Sequence, residues 1–341
     1  MPSPTLASVT DNFGAGLAGT RPDSATATAT ATTTAEPAAA ISGVSLLGQP
    51  TGPAETAAPR RRPALSPSRA GDFKQCPLLY RFRAIDRLPE RPTRAQIRGT
   101  LVHAVLERLF DLPAAERTPR AAMALVAPQW EALCAQLPEL AGQLFTGPDD
   151  PELPLWLESA GLLLEAYFRL EDPRRLEPEA RELLVETELE SGLLLRGYID
   201  RLDVAPGGQI RVVDYKTGAA PREVAEARAL FQMKFYALAL LHLRGVVPAQ
   251  LRLVYLADGE SLTYQPDEDE LRRFERTLDA IWLAIRTAGK TGDFRASPGR
   301  SCEWCSHKAL CPAWDGTPPE YPGWPDDPAM AAVETPVDRA D

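Results

Sequence analysis

The segment that most constrains the fold is a strand, turn and strand pattern at residues 195–218, LRGYIDRLDVAPGGQIRVVDYKTG. Its two β-prone runs are separated by Pro-Gly-Gly, which favours a turn between neighbouring antiparallel strands. A third β-prone run, ELLVETELE at residues 182–190, precedes them and is separated from them by Ser-Gly. The three runs therefore predict an antiparallel three-stranded meander.

Runs with helical spacing surround this meander. Ser66 is a suitable N-cap and Pro67 suits the first helical position, so we expect a helix to begin there. The further predicted elements are helices at Arg94–Asp111, Arg120–Gln136, Leu153–Leu170, Val224–Arg244 and Glu268–Ala288, and one strand with the sequence QLRLVYLADG at residues 250–259. The order of helix, three strands, helix and strand predicts one α/β or α+β layer architecture.

Composition divides the chain into three parts. Residues 1–62 contain TATATATTTAEPAAA, which lacks aromatic residues and any regular period, and we expect them to be disordered. The folded domain is expected at residues 63–312, and residues 313–341 form an acidic, proline-rich tail. Because the sequence shows neither a secretory signal nor an apolar run of about 18 residues, we expect a soluble cytoplasmic protein with no membrane partner.

Charge is distributed unevenly along the chain. The formal net charge of −10 argues against a nucleic-acid partner, since binding to phosphates depends on lysine and arginine. However, Asp315–Asp341 contains seven acidic residues and one arginine, while Arg60–Arg108 contains twelve basic and four acidic residues. The second segment is either a solvated arginine-rich helical face or a surface that meets the DNA backbone.

Two carboxylates and a lysine are expected to converge at the ends of the central strands. Asp214 and Lys216 are two apart in one strand and so face the same side, and the turn at 206–208 brings Asp200 beside them. Converging carboxylates repel unless a proton or a cation intervenes, and Mg²⁺ suits such ligands. Lys216 would then orient or help deprotonate a water molecule and stabilise developing charge. The alternative is an ordinary solvated strand face, and Asp203 is equally a turn residue.

The five cysteines indicate metal or redox chemistry rather than disulfides, because their number is odd and a cytoplasmic protein is expected. The segment CEWCSHKALC gives Cys302, Cys305 and Cys311 the spacing C-x2-C-x5-C. Cys76, which is followed by proline as Cys311 is, suits the fourth position better than Cys134, which lies in a leucine-rich helical run. Four thiolates suit either Zn²⁺ or an iron-sulfur cluster.

Four motifs together resemble those of RecB-type nucleases of the PD-(D/E)XK superfamily. In chain order they are GTLVHAVLE at 99–107, GYIDRLD at 197–203, VVDYKTG at 212–218 and FQMKFYALAL at 231–240. The resemblance covers residues 63–312 and implies a PD-(D/E)XK nuclease core. It also implies that His103, Asp200 and Asp214 bind Mg²⁺ or Mn²⁺ and that Lys216 assists the attacking water.

Two further positions follow from the same resemblance. Gln232 and Tyr236 are four apart and so share one helix face. The family's Q-x-x-x-Y pair lies beside the active site, where it would hold the DNA strand or position Lys216. The alternatives are ordinary packing for Tyr236 and solvent exposure for Gln232, and for His103 a satisfied core or surface histidine.

The cysteine arrangement resembles a subset of these nucleases that includes AddB and certain CRISPR-associated nucleases. Those proteins carry one cysteine before the nuclease core and three after it. The resemblance implies that Cys76, Cys302, Cys305 and Cys311 bind a 4Fe-4S cluster, with zinc as the lesser alternative. Such a cluster would join the two ends of the domain as a staple.

The leading functional hypothesis is a metal-dependent deoxyribonuclease. Its resemblance to the iron-sulfur subset implies an exonuclease that acts on single-stranded or frayed DNA ends in repair or recombination. We expect its partners to be DNA and a separate helicase or recombination protein. A second hypothesis is a catalytically inactive DNA-binding or scaffolding module of a repair complex, against which the full set of site residues argues. A third is a zinc-stapled structural protein without a nucleic-acid role.

Overall fold

The computed structural model describes residues 63–147, 149–219 and 223–324, without the side chains of 223–226. The segment 1–62, which is expected to be disordered, and residues 325–341 of the acidic tail lie outside the described residues. The helices are α1 (Pro67–Gln75), α2 (Pro77–Tyr80), α3 (Arg94–Leu109), α4 (Pro119–Gln136), α5 (Leu140–Leu144), α6 (Glu152–Leu170), α7 (Glu223–Arg244) and α8 (Glu268–Thr291). The strands are β1 (Ala180–Glu188), β2 (Leu194–Val204), β3 (Ile210–Lys216), β4 (Gln250–Tyr255) and β5 (Glu260–Tyr264). A π-helical turn at Arg81–Ile85 follows α2, and 3-10 turns lie at Ala114–Glu116, Pro173–Arg175, Arg300–Trp304, Lys308–Leu310 and Pro312–Trp314.

The five strands form one mixed sheet in the order β1-β2-β3-β4-β5. β1, β2 and β3 are successive antiparallel neighbours, as the sequence predicts. β4 lies parallel to β3 because α7 returns the chain to the same end of the sheet. The predicted α/β class, with a helix, a meander, a helix and a further strand, is therefore confirmed.

The edge strand β5 was not predicted, since the sequence indicated one strand running to Gly259. β4 instead ends at Tyr255, and the chain turns at Asp258 and Gly259 before pairing antiparallel to β4. Gly259 has a φ of 66°, which suits the hairpin turn. The side chains of β5 are mostly exposed, so the apolar alternation that marks a strand is missing there.

Helices cover both faces of the sheet. α7 and α8 form one core with residues such as Val212, while α3, α4 and α6 form the other with Val213 and Tyr215. Because side chains alternate between the two faces along a strand, Asp214 and Lys216 lie on the same face of β3 as Val212, which is the face covered by α7. None of the helices in the described ranges combines the length and the apolar character needed to cross a membrane.

Side-chain caps determine where the helices around the site begin. Ser66 Oγ accepts a hydrogen bond from the Arg69 backbone N–H at 3.3 Å, so α1 begins where the sequence predicts. Thr93 and Gln96 form a reciprocal capping box at the start of α3. This cap fixes the first turn of the helix that carries His103.

The first part of the acidic tail packs against α8. The Trp324 side chain is buried, with its ring centroid 6.0 Å from that of Trp282, and the Tyr321 hydroxyl donates to the Gly289 carbonyl at 2.6 Å. A Cβ on Gly289 would lie 2.2 Å from the Trp324 ring, so only glycine permits this contact. Residues up to 324 therefore contribute to the packing of the domain.

Candidate active site

Asp214 and Lys216 lie at the carboxyl end of β3 on the side that faces α7. Lys216 Nζ lies 2.6 Å from Asp214 Oδ2, and the Asp214 side chain is 2% exposed. Burial alone would lower the pKa of Lys216, but the Asp214 and Asp200 carboxylates raise it above its ordinary value. Lys216 is therefore an ammonium group that donates hydrogen bonds and offsets negative charge, rather than a free amine base.

The side-chain amide of Gln232 on α7 holds both charged groups. Its Oε1 accepts a hydrogen bond from Lys216 Nζ at 2.8 Å, and its Nε2 donates to Asp214 Oδ1 at 2.8 Å. One turn further along α7, the Tyr236 hydroxyl accepts a hydrogen bond from Gln232 Nε2 at 3.1 Å. The structure thus brings both residues to the site, Gln232 by direct contact and Tyr236 through Gln232.

Two motif glycines allow close packing around these groups. A Cβ at Gly197 of β2 would lie 2.8 Å from Tyr236 Cε1, which is too close for a real contact. A Cβ at Gly99 of α3 would lie 3.0 Å from Thr217 Oγ1. The glycines of the GYIDRLD and GTLVHAVLE motifs therefore bring β2 against α7 and α3 against the end of β3.

Asp200 lies where β2 separates from β3. The regular pairing of the two strands stops at Arg201, opposite Val213. Beyond that pair, Asp200 Oδ2 accepts the backbone N–H of Tyr215 at 2.7 Å. The side-chain carboxylate thus satisfies a strand donor, which fixes it beside the end of β3.

The environment of Asp200 opposes its negative charge. Burial raises the pKa of Asp200, His103 opposes this rise and the Asp214 carboxylate adds to it, so that the resulting pKa is about 6. A raised carboxyl pKa means that the ionised form is incompletely compensated. A divalent cation beside Asp200 would supply this compensation.

His103 on α3 directs one ring nitrogen towards the carboxylates. Its Nε2 lies 2.9 Å from the Tyr215 carbonyl oxygen, which can only accept a hydrogen bond, so Nε2 carries a proton. In the neutral ring, Nδ1 then presents its lone pair to Asp200 Oδ2 at 3.5 Å and to Glu182 Oε1 at 3.9 Å. A lone pair that faces two carboxylates is favourable only when a cation or a second proton lies between them.

Glu182 also belongs to the site, although no sequence motif marks it. Within the described ranges, the group found with ligand atoms that all lie within 4.8 Å of one another consists of His103, Glu182 and Asp200. On either side of this position, Arg181 pairs with Arg201 and Leu183 pairs with Ile199, so Glu182 lies opposite Asp200. Only the strand register reveals this neighbour, because a glutamate in a β-prone run is otherwise typical of a solvated strand face.

The donor set fits a hard divalent cation. Carboxylate oxygens are the ligands that Mg²⁺ and Mn²⁺ prefer, and one imidazole nitrogen is compatible with them. Asp214 Oδ2 is buried and accepts no hydrogen bond of good geometry from the described part of the chain, although the Lys216 ammonium lies close to it. Such an oxygen is available to a cation. Asp214 lies outside the tighter group of His103, Glu182 and Asp200.

A buried ion network on the α6 side of the sheet braces β2 against β3. Arg201 donates two hydrogen bonds to Glu171, two to Asp203 and one to the Tyr215 hydroxyl. Arg211 Nε lies 2.9 Å from Asp203 Oδ2. Asp203 is therefore a buried ion-pair partner within β2, which corrects the reading of it as a turn residue.

The four cysteines that were expected to share a metal group line one cavity of about 200 Å³; they are Cys76, Cys302, Cys305 and Cys311. Backbone N–H groups of Ser297 and Gly299 donate to two of the sulfurs, at 3.4 Å and 3.3 Å. In the described residues, no three of these sulfurs lie within 4.8 Å of one another. A tetrahedral zinc ion with Zn–S bonds of about 2.3 Å would bring its sulfurs to about 3.8 Å. The cysteines thus share a cavity without being gathered around the position of a single ion.

Comparison with known families decides which class of protein carries this site. The model of the PD-(D/E)XK nuclease superfamily matches residues 64–312, which is most of the chain. The chain belongs to the PD-(D/E)XK nuclease superfamily. The superfamily indicated by the four motifs is therefore confirmed, and with it a hydrolytic nuclease class that uses divalent metals. Membership of the RecB-type, iron-sulfur subset stays a prediction.

Two phage proteins are similar to this PD-(D/E)XK chain. The Gene 69 protein of Mycobacterium phage D29 is 30% identical over 204 residues, which cover 54% of this chain and 71% of that protein. The Gene 69 protein of Mycobacterium phage L5 is 24% identical over 290 residues, which cover 74% and 97% respectively. Among solved structures, a candidate exonuclease from Eubacterium rectale matches with a TM-score of 0.49 and 14% identity, over 72% of this chain and 87% of that one.

Proposed function

We propose that this PD-(D/E)XK protein is a divalent-cation-dependent deoxyribonuclease that digests DNA from its ends in repair or recombination. The observation that carries the proposal is the convergence of Asp200, Asp214 and His103 Nδ1 beside the Lys216 ammonium. In this proposal, His103, Asp200 and Asp214 hold Mg²⁺ or Mn²⁺. The bound cation would polarise the phosphodiester and lower the pKa of a coordinated water.

The chain's own groups position the reactants and offset charge. Gln232 holds Lys216 and Asp214 at hydrogen-bond distance, so the ammonium keeps one position beside the carboxylates. Because Lys216 is charged, it would orient the attacking water by donating a hydrogen bond and would stabilise negative charge that develops on the phosphate. The backbone of Tyr215 fixes Asp200 through its N–H and His103 through its carbonyl.

Ion pairs reduce the free positive charge of the basic segment Arg60–Arg108. Within the described part of this segment, four arginines pair with nearby acids: Arg81 with Asp86, Arg83 with Asp72 and Glu90, Arg94 with Glu152, and Arg108 with Asp111. The excess of basic residues in the sequence therefore overstates the charge available to DNA. Arg87 and Arg91 are exposed, and we assign phosphate contacts to them first.

An inactive DNA-binding scaffold is the alternative function. The intact set of carboxylates, histidine and lysine favours an active centre, because a scaffold has no need for a lysine paired with a buried aspartate. The cytoplasmic location and the separate helicase or recombination partner stay predictions from the sequence under either function.

The test is cleavage of end-labelled linear DNA, single- and double-stranded, by the full-length protein with Mg²⁺, Mn²⁺ or a chelator. Closed circular DNA serves as the control for endonuclease activity. We expect cation-dependent shortening of linear DNA alone, abolished by Asp214→Ala and by Lys216→Ala. Asp269→Ala and Lys290→Ala, at exposed positions of α8, are the matched controls and should remain active. Cleavage that survives both site substitutions would refute the assignment.

We further propose that Cys76, Cys302, Cys305 and Cys311 hold a 4Fe-4S cluster. Their shared cavity and the backbone N–H groups directed at two sulfurs support this proposal, since N–H donors to sulfur are typical of such clusters. Four irons also spread their cysteine ligands further apart than one zinc ion does.

Anaerobic purification followed by iron, sulfide and zinc analysis tests the cluster. Equal amounts of iron and labile sulfide in a brown protein are the expected result, lost in Cys76→Ser and retained in Cys134→Ser. Cys134 lies on α4 and does not line the cavity. Stoichiometric zinc without iron would refute the cluster and support a zinc site instead. A metal-free protein would refute both assignments.

A further inference from the structure

Glu182 has an unusual backbone conformation in the middle of β1. Its φ of 45° lies in the left-handed region, which a residue other than glycine rarely adopts. The pairing of β1 with β2 is regular on both sides and is interrupted only where Glu182 lies opposite Asp200. Such a conformation costs free energy, and conformations of this kind cluster at functional sites. Here it accompanies a carboxylate that lies beside His103 and Asp200.

We propose that Glu182 is a direct ligand of the active-site cation, so that four side chains rather than three surround it. The inference rests on the proposed function for the presence of the cation, and it adds a ligand that lies outside all four sequence motifs. Ligand atoms of Glu182, His103 and Asp200 already lie within 4.8 Å of one another. With Mg–O distances of about 2.1 Å, neighbouring ligands of an octahedral ion lie about 3 Å apart, so small side-chain rotations close the site.

The balance of charge agrees with this role. The carboxylates of Glu182 and Asp200 both face His103 Nδ1, and the Asp214 carboxylate lies beside the Lys216 ammonium. The side chains of Glu182 and Asp200 are only 10% and 12% exposed, so water screens their repulsion poorly. A divalent cation between Glu182 and Asp200 would offset this repulsion. It would also give the His103 Nδ1 lone pair a favourable partner.

Binding of Mn²⁺ to the full-length protein, measured by calorimetry without DNA, tests the inference. Glu182→Gln keeps the size of the side chain and removes its charge. Glu186→Gln is the matched control, because Glu186 lies on the same strand but is 45% exposed and paired with Arg196. We expect Mn²⁺ affinity to fall at least tenfold in Glu182→Gln, about 1.4 kcal/mol, and to stay within twofold in Glu186→Gln. An affinity within twofold of the wild type in Glu182→Gln would overturn the inference.

Electron paramagnetic resonance of bound Mn²⁺ provides a second readout, since loss of a protein ligand alters the spectrum whereas a distant structural change does not. Thermal unfolding without metal checks that the variant folds. If Glu182→Gln does not fold, Glu182→Asn serves instead, because asparagine tolerates the left-handed backbone. An unchanged spectrum in a folded variant would also overturn the inference.

The two proposals fail in different ways. Tight Mn²⁺ binding that depends on Glu182, without any DNA cleavage, would refute the nuclease function and leave the ligand assignment in place. Cation-dependent cleavage by the wild type with unaltered Mn²⁺ binding in Glu182→Gln would refute only the assignment of Glu182.

Discussion

Replacing Gly197 by alanine should disturb the active site through contacts that begin at Tyr236. The added Cβ would lie 2.8 Å from Tyr236 Cε1 and 3.6 Å from atoms of Phe235 and Pro67. An ordinary contact needs at least 3.4 Å, so the Tyr236 ring must move by 0.6 Å, the difference between 3.4 and 2.8 Å. Tyr236 is buried, and its neighbours leave it little room for this movement.

The size of the effect follows from what Tyr236 touches. Its hydroxyl lies 3.1 Å from Gln232 Nε2, which in turn contacts Asp214. A ring shift of this size either breaks that hydrogen bond or moves the amide that holds Asp214 and Lys216. Overpacking a core costs about 1–3 kcal/mol of stability. Because a misplacement of about 1 Å can cost about 100-fold in rate, we expect DNA cleavage to slow by roughly tenfold to 100-fold.

Thermal unfolding and the rate of cleavage of end-labelled DNA measure the two consequences. Gly71→Ala on α1 is the matched control, because its new Cβ meets no atom within 4 Å. The double variant Gly197→Ala, Tyr236→Val removes the clash. Its stability and cleavage rate should therefore be close to those of Tyr236→Val alone. Full activity and stability in Gly197→Ala would refute the reasoning. The reasoning would also be refuted if Gly197→Ala lowered stability and cleavage as much in the Tyr236→Val background as in the wild type.

Three other substitutions test the site and its supports. Gln232→Leu removes both hydrogen bonds to Asp214 and Lys216 while keeping a similar side-chain volume. DNA cleavage should therefore fall at least tenfold with little change in unfolding temperature, and unchanged cleavage would contradict the role of the amide. Arg201→Met removes the main partner of the buried Glu171 and Asp203 carboxylates, which keep only Arg252 and Arg211 respectively. We expect a cost of up to about 3–5 kcal/mol in chemical denaturation, and a cost below about 1 kcal/mol would contradict the network. The close contact with His307, at 2.8 Å, and the hydrogen bonds from Arg83 lower the pKa of Glu90 to about 2 from its ordinary 4.5. This contribution to stability is complete above pH 4.5 and is lost as the pH falls from 4.5 towards 2. Glu90→Gln should therefore flatten the dependence of unfolding free energy on pH in that window, and an unchanged slope would argue against the ion pair.

The regular parts of the fold follow from local sequence patterns. Ser66 with its following proline predicts the start of α1, and a period of two places Asp214 and Lys216 on one face of β3. The helical spacing of Gln232 and Tyr236 likewise places both on the side of α7 that meets the sheet. In each case a short range of residues determines the structure, so the sequence alone suffices.

Other features depend on residues far apart in the chain, which single-sequence patterns do not reveal. Glu182 joins the site only because β1 pairs with β2 in one particular register. Asp203 is adjacent to a predicted turn, yet buried arginines on β2 and β3 bind it. The exposed edge strand β5 has no apolar alternation, so its pairing with β4 leaves no signal in the sequence.

The candidate site lies where the backbone departs from regular pairing. β2 pairs with β3 only from Arg201 to Val204, and the separation before Arg201 lets the Tyr215 N–H bind the Asp200 carboxylate instead of a strand carbonyl. Arg201, held by buried carboxylates, fixes the last regular pair, so the separation begins at a defined residue. The adjacent residues Asp200 and Arg201 therefore have different roles. Arg201 anchors β2 against β3, and Asp200 provides a carboxylate to the site. It follows that loss of the Arg201 network should weaken cation binding as well as stability, although Arg201 itself has no place among the ligands.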